Sequence, residues 1–136
     1  MLIEAAAWRR RTRLPDDLRD ELLALDPWLF EEKVRGSIHE VGGRGPGYRS
    51  TVDAEWMPLT VVASGARLVV WGKGTKWIDL PPAHPWMREV TLEGPDRILL
   101  VSELADSHPG LSGRLEVRFR TSRARELAAW LEAPPA

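Results

Sequence analysis

A chain of 136 residues with 43% hydrophobic side chains, a formal charge of −1 and a pI near 6.3 is sized for one domain around one core. It has no polyelectrolyte character to drive binding to nucleic acid or an anionic membrane through net charge. Cysteine is absent, which excludes disulfides, thiolate catalysis and cysteine-ligated metal centres together.

The sequence divides at about residue 33, into an arm and helix (1–32) expected to pack on a strand-rich domain (33–136). Residues 1–13 end in Arg9, Arg10, Arg11 and Arg13, an electrostatic hook for phosphates or simply a solvated terminus. Residues 15–25 carry a clearer helix signal. Pro15 suits a first turn, Asp16 and Asp17 complement the dipole there, and Leu18, Leu22 and Leu25 form a stripe. Residues 16–32 hold seven acids against one arginine, and residues 114–125 hold five arginines against one glutamate. Their attraction predicts that the acidic segment docks near the C-terminal strand and helix.

From Lys33 onward, period-2 patterning predicts strands. Val34 to His39 and Tyr48 to Trp56 flank a glycine-rich loop at 42–47. Leu59 to Ala63 and Ala66 to Trp71 meet at Ser64-Gly65, and Thr75 to Leu80 follows Gly72-Lys73-Gly74. Met87 to Glu93 and Arg97 to Leu104 turn at Gly94-Pro95-Asp96. Arg114 to Arg120 is the last strand, followed by an amphipathic helix over Ser122 to Glu132, capped by Thr121 or Ser122 and presenting Ala124, Leu127, Ala128 and Leu131 on one side. This gives seven or eight strands, depending on whether Met57-Pro58 reverses or merely bends the chain. The expected fold is mainly β with helices: an antiparallel barrel or sandwich closed by the C-terminal helix, with an N-terminal helix outside it.

The stretches 61–70 (VVASGARLVV), 77–80 (WIDL), Arg114 to Phe119 and 124–131 (ARELAAWL) together resemble the small bacterial versions of the pleckstrin-homology-like superfold over about residues 33–132. The resemblance implies a helix-plugged barrel that serves binding rather than catalysis. Lys33, Arg35, Arg44 and Arg49 lack the close basic spacing of the family's phosphoinositide binders, so phosphoinositide is not expected as a ligand.

No catalytic motif is present. The loop 42–47 lacks the lysine and the hydroxyl residue of a P-loop, and Gly-x-Ser-x-Gly does not occur. His39, His84 and His108 have no metal-ligand spacing among them, although His84 or His108 with Asp79 or Asp106 would be the place to look. No metal or cofactor is expected. The favoured reading is a cytoplasmic, non-enzymatic module that engages a protein partner or itself through rim loops and exposed tryptophans. If Met57-Pro58 is a reversal, loops 42–47, 64–65, 81–86 and 104–113 share one rim and gather Arg44, His84, Trp86 and His108. The alternatives are a small nucleic-acid-binding barrel, with the arginine arm assisting Trp71, Trp77, Arg44 and Arg67, and then an enzyme with a site on the rim.

Overall fold

The computed structural model describes residues 14–46 and 48–133, with the side chains of 48–53 left out. After helix α1 (Asp16–Ala24) come strands β1 (Leu29–Gly45), β2 (Tyr48–Ser64), β3 (Arg67–Gly72), β4 (Thr75–Leu80), β5 (Met87–Gly94), β6 (Arg97–Glu103) and β7 (Ser112–Arg120), then helix α2 (Ala124–Glu132). The seven strands form one antiparallel sheet in the order β4-β3-β2-β1-β7-β6-β5, curled into a half-barrel. The expected fold class is found. The first strand therefore lies at the centre and takes the last strand as its second neighbour.

The concave side holds the main core. Ile38, Leu59, Val61, Leu68, Val70, Ile78, Ile98, Leu100, Leu115, Val117 and Phe119 pack there, and α2 seals it with Ala124, Leu127, Ala128 and Leu131. The amphipathic pattern of 124–131 locates this contact because a nine-residue helix gains most of its stability from the face it buries. Thr121 serves the helix differently from a simple cap: its Oγ accepts the Arg123 N–H (3.1 Å) and donates to Glu31 Oε1 (2.5 Å), and α2 starts only at Ala124. Arg123 then donates to the Trp28 carbonyl and lies 4.7 Å from the centre of the Trp28 ring, which meets Trp130 edge-on.

Four features depart from the sequence reading. The end of the acidic segment does reach the C-terminal part, through Glu31 to Thr121 and Trp28 to Arg123 and Trp130, but helix α1 packs on the convex side of β2 and β3, where Leu14 and Leu22 meet Val62 and Val69 beside Leu18, Phe30 and Trp71. Among the described residues no ion pair joins α1 to the arginines of 114–125: Glu21 binds Arg67 of β3, and Arg19 binds Glu32. Apolar contact placed this helix, as expected when exposed ion pairs are each worth only ~0–1 kcal/mol. Second, β1 begins at Leu29, ahead of the boundary at 33. A bulge between Glu31 and Val34, with Lys33 at φ 60°, breaks the alternation that would have revealed the earlier start. Third, half of the glycine-rich loop is ladder: Gly43, Arg44 and Gly45 pair with Ser50, Arg49 and Tyr48.

Fourth, Met57-Pro58 neither reverses nor ends a strand. Both residues pair within the β1–β2 ladder, and β3 joins β2 only from Thr60, so at Pro58 the missing N–H interrupts no second ladder. The sheet therefore has seven strands, and the connections before Tyr48 and after Ser64 lie at opposite ends of β2. The premise of a single rim shared by all four loops fails.

The candidate functional site

On the convex side, β1, β7 and β6 align a row of arginines. Arg97 pairs directly with Arg120 across β6 and β7, and Arg35 and Arg120 flank the Gly36–Phe119 pair across β1 and β7. One step along, Ser37 lies between Trp56 on β2 and Arg118 on β7. Alternation explains the arrangement, since Gly36, Phe119 and Ile98 turn inward and their neighbours must turn outward. Gly36 is required in this row, because a Cβ there would stand 2.7 Å from the Arg118 carbonyl oxygen and collide with Leu59.

These residues enclose a cavity of about 130 Å³ lined by Arg35, Trp56, Arg97, Arg118, Arg120, Glu93 and Phe119. Trp56 is 65% exposed, the most of any large apolar side chain described, and the Arg35 guanidinium stands 5.4 Å from the centre of its ring. The one carboxylate of the cavity, Glu93, accepts from Arg118 Nε at 2.9 Å. Arg35, Arg97 and Arg120 have no carboxylate partner among the described residues. Like charges directly opposite across a ladder oppose folding, so the Arg97–Arg120 pair contributes nothing favourable to the sheet.

The opposite situation holds where β3 and β4 meet the loop after β6. Arg67 donates to both carboxylate oxygens of Asp79 (2.6 and 2.8 Å) and to Glu21 (2.9 Å), and Lys76 reaches Asp79 at 2.8 Å. Burial pushes the Asp79 carboxyl up, but the hydrogen bonds and charges of Arg67 and Lys76 together outweigh it and hold the group below the usual carboxylate range. The same pairing drives the Arg67 guanidinium upward against its own desolvation. Asp106 accepts the Asp79 backbone N–H at 2.9 Å, and burial, aided by the nearby Asp79 charge, raises its carboxyl. This network ties the end of β4 to the loop after β6.

Of the loops expected to gather the binding residues, 81–86 adjoins the segment after β6, where the Glu103 N–H donates to the Trp86 carbonyl (3.0 Å), and Gly45 beside Arg44 stands against Leu111, while loop 64–65 lies at the other end of β2. His84 and Trp86 do stand together, with rings 5.6 Å apart and the Trp86 N–H donated to His84 Nδ1 (3.1 Å); Trp86 is 41% exposed. His108 packs 6.0 Å from Trp77 and contacts Ser107. Arg44 is exposed at the end of β1, its carbonyl accepting from Ser112. Arg9, Arg10, Arg11 and Arg13 lie outside the described residues.

Three of the four nucleic-acid candidates, all but the exposed Arg44, are occupied within the fold. Trp71 packs beneath α1, Trp77 donates Nε1–H to the Gly72 carbonyl, and Arg67 is held by two carboxylates. Among the described residues no three histidine, aspartate or glutamate side chains gather as metal ligands, and no helix is long and apolar enough to cross a membrane.

Sequence reasoning missed the cavity. Arg118 and Arg120 were visible on the outward set of the last strand, and Arg35 alternated with apolar residues, but only the pairing of β1 with β7 brings them together. No protein-family model matches the chain, and neither the curated proteins nor the solved structures contain a match.

Proposed function

We propose that this protein is a non-enzymatic binding module of the pleckstrin-homology-like kind, acting in the cytoplasm, that holds an anionic protein partner on its convex arginine and tryptophan face. One observation carries the reading: three arginines without acid partners among the described residues line a cavity beside a tryptophan that is 65% exposed. A sheet gains nothing from opposing arginines, whereas a partner's acidic group gains charge-assisted, bidentate hydrogen bonds from them. Arginine with tryptophan is also the composition in which interface energy concentrates. The surface at His84 includes a larger cavity, about 310 Å³, but there Arg88 is set against Glu89 and Glu132, so no comparable excess of cations faces a ligand.

The test is affinity capture from cells with the wild-type chain and with Trp56→Ala/Arg97→Ala/Arg120→Ala. A partner retained by the wild type, lost by the variant at equal melting temperature and released as salt rises, is the expected result. Identical capture by both proteins removes this face from the function, and recovery of RNA or DNA in place of protein favours the nucleic-acid reading.

A further inference from the structure

Whether the cavity suits a carboxylate or a more highly charged group follows from its charge and donor count. Four guanidiniums and one carboxylate line it. Arg118 is engaged by Glu93 at 2.9 Å and approaches Glu116 at 3.8 Å, which leaves the guanidiniums of Arg35, Arg97 and Arg120 with donors to offer. Each guanidinium is a planar fork with five N–H donors. A single carboxylate has two oxygens and one charge, so it answers one fork and leaves two cations facing each other. An acidic peptide could supply more carboxylates only by placing several side chains into about 130 Å³.

A phosphate monoester differs on both counts. It carries about −1.5 to −2 charge at pH 7 and three acceptor oxygens on one tetrahedral atom, roughly one oxygen for each unengaged guanidinium. A nucleic-acid strand offers phosphodiesters of one charge each, spaced along a chain and not concentrated at one point. One wall of the cavity is aromatic, Trp56, which can cover the chain that bears the phosphate. We infer that the arginine cavity recognises a phosphorylated side chain of a partner protein. This rests on the binding-module reading above and specifies what that module selects.

The direct experiment is a titration of the full chain with acetylated, amidated pentapeptides Ala-Ala-X-Ala-Ala, where X is phosphoserine, glutamate or serine. The signals followed by NMR are the indole N–H of Trp56 and the Nε–H of the cavity arginines, with inorganic phosphate and a thymidine decanucleotide as further ligands. The phosphoserine peptide is expected to bind at least about tenfold more tightly than the glutamate peptide or inorganic phosphate. Its binding should weaken about fourfold between roughly pH 7.5 and pH 5.5, because the second phosphate ionisation lies near 6. No histidine lines the cavity, so this titration belongs to the ligand.

Arg97→Ala and Arg120→Ala should each remove most of the binding at unchanged melting temperature. Equal affinity for glutamate and phosphoserine, both lost in the arginine variants, overturns phosphate selection and leaves the binding module standing. Inorganic phosphate binding as tightly as the peptide overturns the side-chain source, and tighter, pH-independent binding of the oligonucleotide overturns the protein partner. If no anion perturbs these signals and cellular capture is also indifferent to the substitutions, the inference and the function it rests on fall together.

Discussion

The charged groups at the β4 end and those on the β1–β7–β6 face obey opposite rules. Around Asp79 each cation reaches a carboxylate and Asp106 accepts a backbone donor, so charge there secures the chain. Around Trp56 three arginines share a cavity without acid partners among the described residues, and two of them oppose each other across a ladder. Both regions hold cations and are partly exposed, and the distinction between them is one of partners. A guanidinium answered within the chain is part of the fold, whereas one left unanswered beside an exposed aromatic ring is available to something else.

Substitutions sharpen that contrast, and the largest effect should fall in neither region. Leu127→Ala, beneath the helix that seals the concave core, is expected to cost about 2–5 kcal/mol in chemical denaturation. A midpoint equal to wild type would show that α2 is dispensable to the core. Next is Arg67→Ala, which removes three charge-assisted hydrogen bonds and should cost about 2–3 kcal/mol.

It should also alter the acid limb. Asp79 is held below its unfolded value, so its stabilising contribution is present above about pH 4 and disappears as pH falls through the lower folded value. Without Arg67 that limb should flatten, and an unaltered stability profile between about pH 2 and pH 5 would contradict the pairing.

Asp106 has the opposite sign. Its carboxyl is raised, so its contribution is fully present below its unfolded value near 4 and is lost as pH rises through the higher folded value. Asp106→Asn keeps an acceptor for the Asp79 N–H and removes the charge, and should raise neutral-pH stability by under about 1 kcal/mol. A clear loss of stability would mean that the charge itself is needed. The smallest effect belongs to the arginine row. Arg97→Ala or Arg120→Ala should leave the melting temperature unchanged or raise stability by about 0.2–1 kcal/mol, since each removes a like-charge pair. A loss above about 1 kcal/mol would identify the row as structural and undo the comparison.

Much of the fold was legible because its elements are locally consistent. Leu115, Val117 and Phe119 alternate, Leu127 and Leu131 share a helical face, and each of these residues is buried where that pattern places it. The bulge at Lys33, the pairing of Gly43 to Gly45 and the continuity through Pro58 were not legible, because each depends on what the neighbouring strand offers. The cavity failed to appear for a related reason. Arg35, Trp56, Arg97 and Arg120 come from four strands, and sequence periodicity assigns a side chain to a face without saying which strand lies beside it. The reading instead gathered the loops that seemed most exposed, on a reversal at Met57-Pro58 that the long β2 strand excludes.

The central position of β1 also bears on how the chain reaches its native state. Glu31 and Thr121, joined by a hydrogen bond, are 90 residues apart, and His39 and Glu116 are 77 apart. Such closures are entropically late, and high contact order slows folding. During synthesis the β1–β2 hairpin emerges early, yet one side of β1 has no neighbour until β7, the last strand of the sheet, is made. For that interval the middle of the finished sheet is an open edge with Ile38 uncovered, the kind of exposure that invites aggregation. The arrival of β7 therefore sets the moment at which a nascent chain stops being a hazard to its neighbours.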